Sequence, residues 1–394
     1  MSMTNNASAS AVLDLAFRPF FLLGAVFSVI ALLLWGANLH GWLTHAYHGY
    51  TPLWHGHEML FGFVAAILVG FLLTAVQNWT GLRSAHGKAL LLLILLWLAG
   101  RLAVWFAGFM PWWLVIIIDG SFLLYAAGLL ASLLLKKQQK RNYFAVLALL
   151  LLTADNVVFH LGVASGNLQT ATHALHSVIL LITLLMTVIG GRVIPMFTGN
   201  TTQIPPRTRI QWLDKAGLGF LWVIVVIFLF QLQIYLPDKL LAVIFSFSAV
   251  LIAGRCALWR AMSTRRHPLL WSLHLSYWFI PLGLGLIACH YAGMALSLST
   301  ALHALTVGAM GGLILSMISR VSLGHTGRPI VATPLIKLAF LLVLAAALSR
   351  VGLILIIPAF SLWAWWLSIG LWVMAYTLFL YRYSAILLSP RADR

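Results

Sequence analysis

Residues 54–75, WHGHEMLFGFVAAILVGFLLTA, set two histidines and a glutamate at the head of an otherwise apolar run. Ionisable groups are costly in hydrocarbon, so three of them where a membrane helix begins point to function. The rest of the chain supports the membrane assignment: of 394 residues 62% are hydrophobic and 8% charged, and the mean hydropathy is +1.00. Apolar runs of about twenty residues between polar breaks mark membrane spans. Twelve are found, near 19–42, 54–79, 88–108, 111–135, 143–163, 171–198, 213–232, 238–260, 268–291, 298–322, 334–356 and 361–387. The expected fold is an all-α polytopic membrane protein with a single transmembrane domain over 1–394. The first run follows a polar MSMTNNASAS and lacks both a basic leader and a nearby small-residue cleavage signal, so it is read as retained.

The formal net charge is +17. Its placement reads as topology, not as a nucleic-acid surface. Lys and Arg fall at Arg18, in every second loop (GLRSAHGK, KKQQKR, PPRTRIQWLDK, WRAMSTRRH and GHTGRPIVATPLIK) and in the carboxyl tail. The alternate loops hold one lysine between them, Lys239. The positive-inside rule then puts both termini and the basic loops in the cytoplasm. Nucleic-acid recognition needs a basic folded domain, and no loop is long enough to make one. Cys256 and Cys289 lie in separate spans near opposite faces, so neither a disulfide nor a thiolate metal motif is expected.

Spans two, six and ten each open with a histidine (His57, His176, His303) and close on a glycine, in NWTG, MFTG and GHTG. Spans one, five and nine end with His40, His160 and His290. Spans three, seven and eleven start from Lys88, Lys215 and Lys337, and Arg101 and Arg350 stand at equal distances from the first and last of these. These coincidences in phase suggest three consecutive four-helix units, about 14–135, 136–262 and 263–394. Large subunits of haem-copper oxidases have a similar architecture, an analogy of fold that does not carry function.

At about 1.5 Å of rise per residue from the basic loops, seven histidines land in the outer leaflet: His55, His57, His160, His173, His176, His290 and His303. Glu58, Asp119 and Asp155 join them, whereas His86, His267, His274 and His325 fall on the basic-loop side as packing or loop residues. His173 and His176 share a helical face at a spacing that suits one metal. His55 and His57 are two apart and face different neighbours. Taken singly, each histidine reads as an interfacial side chain bonded to backbone or water; a whole layer of them reads as metal ligands. Imidazoles with few thiols or carboxylates suit copper or haem iron, with zinc still open. Arg101 and Asp119 lie at similar depth in adjacent helices and read as an ion pair. Arg350 has no acid at its depth in span twelve and is the candidate for an anion such as a haem propionate. Arg101 is carried as a cofactor candidate with it. Glu58 and Asp155 each read as a support for a ligand histidine or as a proton carrier. The 17 tryptophans gather at span ends as an interfacial belt, and Gly190–Gly191 and Gly311–Gly312 read as packing glycines.

Four stretches in order, LAFRPFFLLGA, WHGHEMLFGF, GGRVIPMFTGN and ALHALTVGAMGGLILSMISRVSLGHTGRP, resemble the NnrS family from about residue 15 to the last helix. The third departs from the family pattern in lacking a basic residue before Asn200. The resemblance implies a bacterial inner-membrane protein with haem and copper, made in denitrification and nitrosative stress, with His55, His57 and His303 among its motif histidines. Three functions fit these residues. One is a haem b and copper centre near the periplasmic face that binds nitric oxide and, as an oxidoreductase, reduces it. The second is transport or delivery of copper or haem. The third is haem-based sensing of nitric oxide. The expected partners are nitric oxide and the lipid bilayer, with no nucleic acid.

Overall fold

A computed structural model describes residues 11–43, 50–205 and 207–393. The polar start at 1–10, residues 44–49 between the first two spans, Pro206 and Arg394 lie outside the described residues. The chain is 84% helical, with no strand among the described residues. Twelve helices are long and apolar enough to cross a membrane: α1 Phe17–His40, α2 Thr51–Thr80, α3 Gly87–Trp105, α4 Trp112–Lys136, α5 Lys140–Ala164, α6 Leu168–Thr202, α7 Gln211–Leu229, α8 Asp238–Ala257, α9 Pro268–Tyr291, α10 Leu298–His325, α11 Pro334–Ile356 and α12 Pro358–Leu388. The expected spans are all found, with ends shifted by a few residues. This is a multi-pass membrane protein.

Helix ends follow local chemistry. Helix α2 starts with Pro52 in its first turn and stops at Gly81, whose φ of 70° is left-handed and lets the chain leave the helix. Gly327, at φ 69°, does the same beyond α10. The matching glycine of MFTG behaves differently: α6 runs through Gly199 and ends only at Thr202. A repeated word in the sequence therefore has two structural meanings.

The chain forms two compact units. One comprises the described residues within Met1–Val178, Val321–Ile330 and Phe379–Arg394, and the other Ile179–Arg320 and Val331–Leu378. In the first, α2 packs on α1 and α4, α3 on α4, and α4 on α5. In the second, α8 packs on α7 and α9, and α10 on α9 and α11. Helices α2, α6 and α10, the three with a histidine at their head, are the most buried. In their most apolar windows 78%, 67% and 72% of residues are buried, against 33–61% in the other nine. In the second unit, small residues let helices close: a Cβ on Gly190 would meet the Tyr277 ring at 2.7 Å, and one on Gly191 would overlap the Arg255 guanidinium.

Three helices are interrupted by π-helical turns: Glu58–Val64 in α2, Ala304–Gly311 in α10 and Leu348–Leu353 in α11. The first two begin directly after His57 and His303, and the third contains Arg350. A π turn inserts a residue into the helical register and re-aims the side chains around it. Such turns occur frequently at functional sites, and these three stand beside residues singled out by their chemistry.

Candidate functional site

In the first unit, α2, α3, α4 and α5 each send polar side chains into one buried cluster. His57 and Glu58 come from α2, Arg101 from α3, Asp119 from α4, and Asn156 and His160 from α5; each is less than 9% exposed. Arg101 bridges both acids: Nη1 donates to Glu58 Oε1 and Nη2 to Asp119 Oδ1. The expected ion pair with Asp119 is present, and Glu58 extends it. His57 Nδ1 donates to Glu58 Oε1 at 2.9 Å. His57 Nε2 lies 3.1 Å from Asp119 Oδ2 and 3.0 Å from Asn156 Oδ1. Asn156 Nδ2 donates to Asp119 Oδ2 at 2.8 Å, and His160 Nε2 to the same oxygen at 3.0 Å.

Both His57 nitrogens face oxygen acceptors, so in this arrangement the ring carries a hydrogen on each. The charges of His57, Glu58, Arg101 and Asp119 then cancel, which is what lets so polar a group sit in a low-dielectric interior. Backbone close to the cluster is made compact by two glycines. A Cβ on Gly100 would stand 2.7 Å from Asp119 Oδ1, and one on Gly62 would stand 3.2 Å from Arg101 Nη1. Trp97 Nε1 donates to the Gly62 carbonyl at 2.9 Å, satisfying an oxygen within the π turn. The His57 ring stacks on Phe159 at 4.6 Å between centroids.

One ligand atom each from His57, Asp119 and His160 lies within 4.8 Å of the others, so these three are placed to hold a metal ion. Two imidazoles and a carboxylate form a donor set used for zinc, iron and copper. Asp119 Oδ2 lies 3.1 Å from His57 Nε2 and 3.0 Å from His160 Nε2, close to the ligand–ligand spacing of about 3.3 Å implied by a tetrahedral ion with 2.0–2.1 Å bonds. Glu58 on the far nitrogen of His57 is the supporting carboxylate such a site requires to fix the ring. The residues therefore fit a metal that takes the place of the hydrogens on His57 Nε2 and His160 Nε2. The sequence reading selected His57, His160, Glu58 and Arg101, took Asp119 as the partner of Arg101 and not as a ligand, and missed Asn156. Its signal was its position four residues before His160, on the same helical face.

The other candidates lie elsewhere. His55 points away from His57 and stacks on Trp35 at 4.7 Å, as the two-residue spacing requires. His173 and His176 occupy neighbouring turns near the start of α6. Asp155 is buried and accepts from Ser177 Oγ at 2.9 Å, so its partner is on α6. His303 belongs to the second unit, as do His290 and Arg350. His303 Nδ1 donates to Ser299 O at 2.6 Å, and His290 Nδ1 to Leu296 O at 2.9 Å. Because a carbonyl only accepts, each ring in its neutral form has the lone pair on Nε2. Arg350 is buried; Nη2 donates to Ser299 Oγ at 3.3 Å, the guanidinium lies over Trp365, and Nη1 has no hydrogen-bond partner. Among the described residues no carboxylate pairs with it.

The sequence profile described as NnrS protein matches residues 11–391, nearly the whole chain. The chain belongs to the NnrS family. No curated protein matches it. NnrS membership suggests metal binding and fits a role related to nitric oxide.

Proposed function

We propose that this NnrS protein is a haem- and copper-binding protein of the bacterial inner membrane that binds nitric oxide and reduces it at a metal centre near the periplasmic face. The buried His57–Asp119–His160 cluster, backed by Glu58 on His57, is the observation that carries the reading. Both termini and the basic loops are proposed to be cytoplasmic, from the loop asymmetry. His303, with Nδ1 committed to the Ser299 carbonyl, would hold a haem iron through Nε2, and Arg350 would offer a buried guanidinium to a propionate. His173 and His176 are the proposed pair for a further metal, beside Asp155 and Ser177.

A copper or iron ion bound among these residues supplies the redox-active centre for nitric oxide. Reduction of two molecules of nitric oxide to nitrous oxide and water takes up two electrons and two protons. The chain's own residues set the rest. Glu58 Oε1 accepts the hydrogen of His57 Nδ1 and so orients the ring, and the Glu58 carboxylate is the group placed to take up a proton next to the site. Asp119 spaces the two imidazoles, and Arg101 keeps both carboxylates in place. Burial of all six side chains excludes bulk water.

The test is the optical spectrum and copper content of the purified protein, before and after addition of nitric oxide under reducing conditions. A b-type Soret band that shifts with nitric oxide, together with stoichiometric copper, is the expected result. Purification with neither haem nor copper would overturn the proposal.

A further inference from the structure

At the basic-loop end of the second unit, a cavity of about 310 Å³ opens between the chain after α6, the turn after α8, and α9. Its wall carries two arginines, Arg207 and Arg260, with Ser263 beside them, and an apolar side made by Ile204, Met262 and Trp278. Those three apolar side chains are exposed, Met262 most of all at 81%.

The charge here is not balanced by protein. Segments 203–215 and 255–267 contain Arg207, Arg209, Lys215, Arg255, Arg260, Arg265 and Arg266 against a single acid, Asp214. Asp214 is already taken: Arg255 Nε donates to Oδ1 at 2.5 Å and Arg209 Nε donates to Oδ2. Arg207 and Arg260 therefore face the cavity with no carboxylate among the described residues. Arg260 moreover sits at φ 56°, ψ 44°, a left-handed conformation that is unfavourable for a long side chain. Ser263 Oγ donates to the Arg260 carbonyl at 2.8 Å and holds that turn. Backbone strain of this kind persists where the surroundings fix it, and such residues concentrate at binding sites.

We infer that this cavity binds the phosphate headgroup of an anionic phospholipid, with Arg207 and Arg260 on the phosphate and Ile204, Met262 and Trp278 along the first part of the acyl chains. The two-faced wall decides for a lipid over a soluble phosphate: a free anion has no use for exposed apolar side chains next to the arginines, whereas a lipid satisfies both. The position agrees, since basic pockets among helix ends are where anionic headgroups are held. This site is independent of the metal reading.

The experiment is native mass spectrometry of the full chain in detergent, titrated with phosphatidylglycerol, phosphatidylcholine or inorganic phosphate. Phosphatidylglycerol should be retained at least tenfold more tightly than phosphatidylcholine, and inorganic phosphate should not displace it. Arg207→Gln with Arg260→Gln should reduce the preference about tenfold or more, while Arg265→Gln with Arg266→Gln, an equal loss of charge outside the cavity, should leave it intact. Arg260→Gly suits the left-handed backbone and so separates loss of the guanidinium from damage to the turn; it should bind lipid as weakly as Arg260→Gln. Equal retention of both lipids, displacement by inorganic phosphate, or equal effects of the two double variants would each overturn the inference.

Discussion

Arg101 holds two carboxylates at once, and its removal would leave Glu58 and Asp119 as like charges in a buried space. Arg101→Met is therefore expected to destabilise the protein by about 3–5 kcal/mol, read as a fall in the thermal midpoint of the detergent-solubilised chain; an unchanged midpoint would mean the cluster is solvated. Glu58 is a different case. Glutamine preserves its shape and its acceptor for His57 but removes the titratable proton, so Glu58→Gln should keep its metals and lose most nitric oxide turnover. Metal loss in that variant would assign Glu58 to support of His57, and full turnover would remove it from the chemistry. His57, Glu58 and Arg101 were legible in the sequence because ionisable groups stand out against hydrocarbon. Asn156 was not, because an uncharged amide gives no such signal and its neighbour Asp155 bonds to a different helix, through Ser177 of α6. The Glu58–Arg101 bridge was missed for another reason: depth arguments pair helices joined by a tight turn, as α3 and α4 are, and say nothing about α2 lying against both.

Helices were the easiest elements to read, since a bilayer requires about twenty apolar residues whatever their order. The π turns were invisible, because a single shift of register leaves composition and hydropathy unchanged. Yet those turns stand beside His57, His303 and Arg350. Close packing supplies a test at this scale. Gly100→Val would push a branched side chain into Asp119 and should cost about 1–3 kcal/mol with loss of the metal, whereas Gly128→Ala, with open space around its Cβ, should leave both midpoint and metal unchanged. Equal behaviour of the two variants would deny that α3 and α4 close on the cluster through Gly100. Loop charge supplies another. Reporter fusions after Gln139 and Thr264 should report cytoplasm and one after Gly166 periplasm; reversal at any of them would undo the placing of the histidines near the outer face.

For the molecule as a whole, the +17 charge and the ionisable residues divide the labour. Cations crowd the loops of one side, while two groups of buried ions compensate one another: Arg101 with Glu58 and Asp119, and Arg255 with Asp214. The threefold repeat of four helices, read from histidine phase, remains a proposal about architecture; high burial is a structural trait that α2, α6 and α10 share. The central claim is that His57, Asp119 and His160 hold one metal. Metal analysis of His57→Gln, Asp119→Asn and His160→Gln beside the parent protein tests it most directly. All three variants should lose the same element, in the same stoichiometry, while helical content by circular dichroism stays at the parent value. Retention of full metal content in any folded member of the three would contradict it.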